Sequence, residues 1–379
     1  MAAVSTIYFV AGEASGDNHG ASLMRALRTS QPNVAFAGRG GPRMQEIAGG
    51  KLANWIDEAG VVGLWEVLRH YPYFHRKMRE TVAEIAALKP AAVVLIDYPG
   101  FNLRLARRLR QHSLGGKIIY YISPQVWAWN RGRIPKMARW LDLMLCIFPF
   151  EADLYAQSGL RTVFVGHPML ESLAAQRVPD AREPDLIGLF PGSRSREVRK
   201  LLPIMLEVVR VLRAKRANLR FEVAAASESL GATIRRELAA TGDSLGAITV
   251  VVGETARTMQ RSAVGLVASG TATLEAAFFH LPFVLIYKVS ALTYLAGRLL
   301  IRVQHLGMPN VLANREIVPE FIQGAARPAV LAAVMERLLN DPARRQLMVD
   351  ELDAVIGQLG EGGADENAAR AILHEIALA

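Results

Sequence analysis

The chain has 379 residues, of which 51% are hydrophobic and 21% charged, and its formal net charge is +9. This length is enough for two α/β domains, the composition excludes a disordered chain, and no apolar run approaches the roughly 18 residues that a membrane-spanning helix requires. The basic residues are spread over several predicted helices without a nucleic-acid motif, so we expect phosphorylated or lipid ligands and no nucleic-acid partner.

The N-terminus has no basic leader before its first predicted strand, and Cys146 is the only cysteine. Both features favour a cytoplasmic protein, with Cys146 as a buried structural thiol. The histidines show no metal-ligand spacing, so we expect neither a metal ion nor another cofactor.

Strand-like and helix-like segments alternate along both halves of the chain, which predicts two parallel, doubly wound sheets. The predicted strands of the first half are Thr6–Val10, Val34–Gly38, Ala92–Asp97, Lys117–Ile122, Leu143–Phe148 and Thr162–Val165. Those of the second half are Leu186–Phe190, Phe221–Ala225, Ile248–Val252, Val264–Ala268 and Phe283–Tyr287.

The polar segment 171–185 separates the two halves and is the predicted linker, which gives domains at 1–170 and 186–379. Helices are expected near Pro328–Leu339, Pro342–Gly357 and Glu366–Leu378, and the sequence leaves open whether the last of them cross back to the first domain. We expect two Rossmann-like domains facing each other across a cleft, with a helical C-terminus and ligands at the carboxyl ends of the strands.

The first predicted strand ends in GEASGDNHG, in which Gly12 and Gly16 permit a tight turn. Ser15 or Asp17 can cap the helix that continues to Arg28. A second glycine turn, GRGGPRM at 38–44, follows the second strand, so both turns can floor a substrate cleft together with Glu13. The spacing differs from Gly-x-Gly-x-x-Gly, which argues against a dehydrogenase.

The segment Val61–Glu80 crowds apolar side chains beside arginine and lysine. This mixture is typical of an interfacial helix that sinks apolar groups into a bilayer and holds anionic head groups. An ordinary amphipathic helix whose apolar side is core is the alternative. The residues at issue are Val62, Leu64, Trp65, Val67 and Leu68.

Asp97 stands at the carboxyl end of a buried strand in LIDYPGFN, where a general base is expected. The alternative is an N-cap for the helix that begins near Asn102. The following motif, SPQVWAW, adds the polar residues Ser123 and Gln125 and the tryptophans Trp127 and Trp129. The two tryptophans can form a wall for a sugar or an acyl chain, or either one can simply pack in the core.

The second half contains two further strand-to-turn-to-helix motifs. In PGSR, Arg194 can stabilise a diphosphate leaving group. In SGTATLE, small residues at a helix start favour a phosphate, and Glu275 about one turn further can accept hydrogen bonds from a ribose. The alternative is an ordinary βα loop with a solvent-facing glutamate. The small residues of this turn are Ser269, Gly270, Thr271 and Thr273.

A dense polar segment, NVLANREIVPEFIQ, follows at 310–323. It has little periodicity, so we expect a ligand-binding loop rather than a core segment. Its candidate ligand-binding residues are Asn310, Asn314, Arg315 and Glu316.

Taken together, these motifs resemble those of the lipid-A-disaccharide synthase family over essentially the whole chain. GEASGD, LIDYPGFN and SPQVWAW are the specific ones, and GGPRM, GHP, PGSR, SGTATLE and PNVLANRE add to the match. SGTATLE alone is also similar to other nucleotide-sugar glycosyltransferases.

The resemblance implies a GT-B fold and the inverting, metal-independent transfer of a diacylglucosamine from UDP to diacylglucosamine 1-phosphate. Asp97 then serves as the base, and Arg194 stabilises the departing UDP. The SGTATLE residues and the polar segment bind the donor, whereas Gly12, Glu13, Ser15, Asp17, Ser123, Gln125 and Trp127 lie on the acceptor side.

Because both implied substrates carry acyl chains, we expect a cytoplasmic enzyme that associates peripherally with the inner membrane through the 61–80 segment. The sequence leaves a homodimer open. The alternatives are another GT-B enzyme, such as a UDP-sugar 2-epimerase, or a two-domain binding protein without turnover.

Overall fold

The computed structural model describes residues 5–59, 71–179, 182–241, 247–290, 294 and 303–378. Two compact units form, one from Met1–Pro168 with Leu359–Ala379 and one from Met169–Gln358. Among the described residues, we find no helix whose length and hydropathy would let it span a bilayer. The predicted membrane-contact residues, which fall between 62 and 68, lie outside the described residues.

The described part of the first unit contains a parallel sheet of seven strands in the order β3-β2-β1-β4-β5-β6-β7. Its strands are β1 Thr6–Ala11, β2 Ala35–Gly40, β3 Leu52–Asn54, β4 Ala92–Ile96, β5 Lys117–Tyr121, β6 Leu143–Cys146 and β7 Thr162–Phe164. All of β4 is buried, as expected for a parallel strand that helices cover on both faces. Its helices before residue 168 are α1 Ala14–Ser30, α2 Pro42–Ala48, α3 Ile56–Ala59, α4 Tyr71–Leu88, α5 Pro99–Gln111, α6 Val126–Trp129, α7 Ile134–Trp140 and α8 Pro149–Ala156.

The second unit has a parallel sheet in the order β10-β9-β8-β11-β12-β13. Its strands are β8 Glu183–Phe190, β9 Arg220–Ala225, β10 Ile248–Val252, β11 Ser262–Ala268, β12 Phe283–Tyr287 and β13 Glu320–Ile322. Its helices are α9 Met169–Ala174, α10 Ser195–Lys215, α11 Glu228–Ala240, α12 Thr255–Arg261, α13 Ala272–Phe278, α14 Met308–Ala313, α15 Pro328–Asn340 and α16 Pro342–Gly357. The prediction of two parallel Rossmann-type sheets is confirmed.

Each sheet reverses its strand order once. In the first unit β1 pairs with β2 on one side and β4 on the other, and in the second β8 lies between β9 and β11. Parallel α/β sheets bind ligands at the carboxyl ends of the strands beside such a reversal. The loops after β1 and β4, and those after β8 and β11, are therefore the places to look for function.

The last helix, α17 Ala364–Ala377, belongs to the first unit. The Tyr121 hydroxyl donates to Asp365 Oδ1 at 3.0 Å, and Lys117 Nζ donates to Glu375 Oε1 at 3.0 Å. These bonds join α17 to β5. The sequence left open whether the last helices cross back to the first domain, and in the structure the final helix does so.

Strand β8 begins at Glu183, inside the segment predicted as linker and three residues before the predicted start. Arg261 Nε donates to Glu183 Oε1 at 2.6 Å, so this carboxylate has a fixed partner in the second unit. The neighbouring Arg182 guanidinium donates to backbone carbonyls, including that of Phe279 at 2.9 Å. The polar side chains of Arg182 and Glu183, at the end of this stretch, are therefore hydrogen-bonded within the second unit.

Candidate functional site

The backbone around Asp97 is held in an unusual conformation. Asp97 and Tyr98 have φ values of 42° and 50°, and Ile122, just after β5, has a φ of 64°. Left-handed residues other than glycine cost free energy and cluster at functional sites. The Asp97 carbonyl accepts hydrogen bonds from Tyr120 Oη at 2.5 Å and Asn102 Nδ2 at 2.8 Å, which lock the turn.

The Asp97 carboxyl is largely removed from water. Burial raises the pKa of Asp97 to about 6, and the negative charge of Glu13 acts in the same direction. A carboxylate with a pKa near the working pH combines ionisation with a useful proton affinity, which is what a general base requires. Asp97 is not the N-cap of the following helix, because that position belongs to Tyr98.

Gly12 has a specific steric role beside this carboxylate. A Cβ at Gly12 would overlap the ring of Tyr98, so only glycine leaves room for the aromatic side chain that follows Asp97. Tyr98 is further held by its hydroxyl, which donates to the Ala59 carbonyl at 2.9 Å. The two motifs GEASGD and LIDYPGFN are thus in direct contact at the strand reversal.

The expectation that Ser15 or Asp17 caps the first helix is wrong. Helix α1 has Glu13 at its N-cap without a side-chain bond, and Asp17 is 3% exposed. Its carboxylate instead accepts from three backbone N–H groups at the start of α2, those of Gly41, Arg43 and Met44, at 3.0, 3.1 and 3.0 Å. Asp17 therefore fixes the second glycine turn. Glu13 and Ser15 are exposed, so their side chains are accessible to a ligand.

The SPQVWAW motif divides between surface and core. Trp127 is 5% exposed, its Nε1 donates to Glu151 Oε1 at 2.8 Å, and its ring packs edge-on against Phe150. Ser123 is also buried, whereas Gln125 is exposed. We therefore assign Trp127 to packing rather than to the acceptor wall.

Sequence reasoning missed Glu151, which is fully buried and whose burial raises its pKa to about 7. Because its partner Trp127 lies on another helix, no local pattern marks this pair.

In the second unit, the PGSR motif presents Arg194 to solvent. Its side chain is 78% exposed, lies just before α10, and approaches Glu197 Oε1 at 3.4 Å. Gly192 has a φ of 105°, and a Cβ there would overlap the Glu197 carboxylate. An exposed guanidinium with one loose partner can turn to an anion at little cost.

The SGTATLE turn leaves open space at its glycine. Gly270 has a φ of 142°, and nothing lies within 4 Å of where its Cβ would be. Thr273 is fully buried and its hydroxyl donates to the Gly270 carbonyl at 2.8 Å, so it shapes the turn rather than reaching a ligand. Ser269 and Thr271 border the open side of the turn, where Thr271 is exposed.

Glu275 is half-buried in α13, and burial raises its pKa. Among the described residues, none donates a hydrogen bond to its carboxylate. A desolvated carboxylate without donors is stabilised when hydroxyl groups donate hydrogen bonds to it.

Sequence reasoning missed Tyr287, at the end of β12. Burial raises its pKa, the negative charge of Glu197 acts in the same direction, and the positive charge of Arg194 acts in the opposite direction.

The polar segment is more ordered than predicted, since it contains α14 and β13. Asn310 is 1% exposed: its Oδ1 accepts from the N–H groups of Ile317 and Val318 at 2.8 and 2.9 Å, and its Nδ2 donates to Glu320 Oε1 at 2.8 Å. Asn310 therefore holds the segment together.

The other three predicted residues of this segment lie on its surface. Asn314 is exposed and ends α14 with a φ of 52°. Arg315 is exposed and pairs with Glu351 at 2.7 Å, and Glu316 is exposed as well.

Replacing Asn310 with Ala should lower the free energy of unfolding by about 2–5 kcal/mol, because two buried N–H groups lose their acceptor. Chemical denaturation measures this change. The matched control is Glu316→Ala in the same segment, which should stay within about 0.5 kcal/mol of the parent chain. Equal stabilities for the two variants would contradict the structural role of Asn310.

The chain matches one family of known proteins over nearly its whole length. A family model described as lipid-A-disaccharide synthetase matches residues 7–372. The chain is 41% identical over 377 residues to a lipid-A-disaccharide synthase from Geobacter sulfurreducens, covering 97% of this chain and 96% of the relative.

Solved structures agree on the fold. The chain is similar to S. aureus MnaA with UDP, with a TM-score of 0.65, 12% identity and coverage of 99% and 98% of the two chains. It is also similar to the UDP-GlcNAc 2-epimerase from Neisseria meningitidis bound to UDP-GlcNAc, with a TM-score of 0.60, 9% identity and coverage of 98% and 99%. At these identities the similarity establishes the fold alone, and that fold is GT-B.

Proposed function

Because the chain belongs to the lipid-A-disaccharide synthase family, whose members are glycosyltransferases of lipid A biosynthesis, we propose the specific reaction that it catalyses. UDP-2,3-diacylglucosamine is the donor and 2,3-diacylglucosamine 1-phosphate is the acceptor. The products are a β(1→6)-linked disaccharide 1-phosphate and UDP, with inversion at the anomeric carbon.

The observation that carries this proposal is the Asp97 carboxyl. It lies at the strand reversal of the first unit, burial raises its pKa to about 6, and the turn that holds it is locked by two hydrogen bonds. Asp97 takes the proton of the acceptor hydroxyl as the oxygen attacks the donor anomeric carbon. The bond from that carbon to the UDP oxygen breaks on the opposite side.

The departing UDP gains negative charge as this bond breaks. Arg194 and the N–H groups of the Gly270 turn are the donors that we assign to the diphosphate, and Glu275 accepts from the ribose hydroxyls. The UDP-sugar is itself a substrate, and the proposed reaction requires neither a metal ion nor another cofactor. The exposed side chain of Arg194 supports this role, because its only ion-pair partner among the described residues is Glu197, at 3.4 Å.

Product analysis tests the reaction. Incubation with both lipids should give a disaccharide 1-phosphate whose anomeric coupling in NMR shows a β linkage. An α linkage would contradict inversion, and the absence of any disaccharide would contradict the reaction.

We also propose that the 61–80 segment docks the enzyme on the inner membrane, from which both substrates are drawn. Replacing Val62, Leu64, Val67 and Leu68 with Ser should lower co-sedimentation with anionic liposomes and leave Tm nearly unchanged. If these residues were core, each truncation would cost roughly 2–5 kcal/mol and Tm would collapse.

The control for this variant is Leu347→Ser/Leu378→Ser, which changes two exposed leucines elsewhere. It should leave liposome binding as it is in the parent chain. Equal losses in both variants would point to a general loss of surface hydrophobicity and contradict a docking site at 61–80.

A further inference from the structure

A large pocket lies in the first unit between α4 and α5. Its volume is about 660 Å³, within the range of small-molecule sites. Phe74, Met78 and Phe101 supply apolar lining, and the last two of these are buried. Arg104, Arg107 and Arg108 line it as well, and the first two are exposed. The pocket therefore combines an apolar interior with a cationic mouth.

The three arginines share one face of α5, because they are spaced at i, i+3 and i+4. Among the described residues none of them has a carboxylate partner. Arg110 on the same helix differs, since it pairs with Asp142 at 2.7 Å. Three like charges at this spacing repel each other, so an anion at the mouth would relieve that repulsion.

The acidic residues of α4 do not pair with the three arginines of α5. Glu84 Oε2 accepts from the Tyr8 hydroxyl at 2.5 Å, and its other oxygen pairs with Arg39. Glu80 pairs with Lys77 at 3.1 Å and with Arg39 at 3.6 Å. Both carboxylates are thus engaged with Arg39, and the arginines of α5 remain available for an external anion.

The pocket begins beside the proposed base. Tyr98, which directly follows Asp97 in the chain and packs against Gly12, is part of its lining. A second pocket of about 320 Å³ adjoins it, since Arg108 and Gln111 line both. Val82, Ala83 and Ala86 give this extension an apolar lining as well.

We propose that these adjoining pockets are the acceptor subsite, in which acyl chains lie between α4 and α5 and the phosphate binds Arg104, Arg107 and Arg108. This inference rests on the proposed function, because it takes the occupant to be a phosphorylated, acylated sugar. Two adjoining apolar pockets suit an acceptor with two chains, and the position of Tyr98 brings its sugar to Asp97.

The binding test uses dodecyl phosphate below its micelle concentration, titrated into the full-length protein by calorimetry. The variant is R104Q/R107Q/R108Q, which replaces the three arginines of α5 with uncharged side chains that also favour a helix. Its Kd for dodecyl phosphate should rise at least about tenfold, because charge-assisted hydrogen bonds are lost. K136Q/R139Q/R344Q removes the same charge from exposed sites and should bind as the parent chain does.

The chain contribution is tested with octyl phosphate and inorganic phosphate. In the parent protein, affinity should rise by up to about fourfold per added methylene, as expected for burial of the chain. Inorganic phosphate that binds as tightly as dodecyl phosphate would overturn the acyl site. Equal dodecyl phosphate affinity in R104Q/R107Q/R108Q and the parent chain would overturn the phosphate assignment.

A kinetic measurement separates this inference from the proposed function. With both lipid substrates, R104Q/R107Q/R108Q should raise KM for the acceptor at least about tenfold and leave KM for the UDP-sugar unchanged. An unchanged acceptor KM with loss of binding to phosphatidylglycerol vesicles would make the pocket a bilayer-lipid site and overturn the acceptor assignment. If the parent protein forms no disaccharide, the proposed function is wrong, and the assignment of the pocket to its acceptor is wrong as well.

Discussion

Asp97→Asn is expected to lower kcat by about 10²–10⁴ while UDP binding stays intact. The amide has the shape of the carboxyl but cannot take the proton of the acceptor hydroxyl. UDP release under saturating substrates measures kcat, and calorimetry measures UDP affinity. A fall in kcat of less than about tenfold would return Asp97 to a structural role and make Glu13 the candidate base.

The pH profile of the parent protein follows from the same carboxyl. Asp97 accepts a proton only when ionised, and its pKa is about 6, so kcat/KM should hold above pH 6 and fall below it. The charge of Glu13 contributes to this raised pKa. Glu13→Gln should therefore move the acid limb to lower pH, which a purely structural Asp97 would not produce.

Glu275→Gln should weaken UDP binding by about 1.5–3 kcal/mol, or roughly 10- to 150-fold in Kd. The carboxylate is half-buried with a raised pKa, so it gains from the two ribose hydroxyls that the amide holds less strongly. Calorimetry with UDP measures the loss. Glu237→Gln, an exposed carboxylate in the same unit, is the matched control and should bind UDP as the parent chain does. Unchanged affinity in Glu275→Gln would remove this residue from the donor site.

The sequence predicts the position of Asp97 well because a continuous apolar run ends directly at an acid. Such a run reads as a buried parallel strand, and the carboxyl end of that strand is where ligands bind. The same reasoning finds the turns at Arg194 and Gly270. In these cases the signal lies within a few neighbouring residues.

Other roles depend on partners that are distant in sequence. Asp17 looks like a cap for its own helix, but the N–H groups that it accepts from begin 24 residues later, at Gly41. The motif around Trp127 suggests contact with a ligand, whereas in the structure its Nε1 donates a buried hydrogen bond to Glu151. The edge strands β3 and β13 span three residues each, and each includes a polar residue, Asn54 or Glu320, so no apolar run marks them. The equally short β7 lies in the apolar run TVFV, which predicts a strand.

Asn310 shows the same limit in a segment with many polar residues. Composition alone favours a ligand-binding loop, whereas the structure uses its amide to join α14 to β13. The polar groups of a buried side chain must be paired, and only the fold determines with what.

The most direct test of the account is UDP release from UDP-2,3-diacylglucosamine with and without 2,3-diacylglucosamine 1-phosphate. We expect UDP to appear only when both lipids are present, one molecule for each disaccharide formed, and to be nearly absent with Asp97→Asn. Conversion of the UDP-sugar without the acceptor, as a 2-epimerase would perform, would contradict the account.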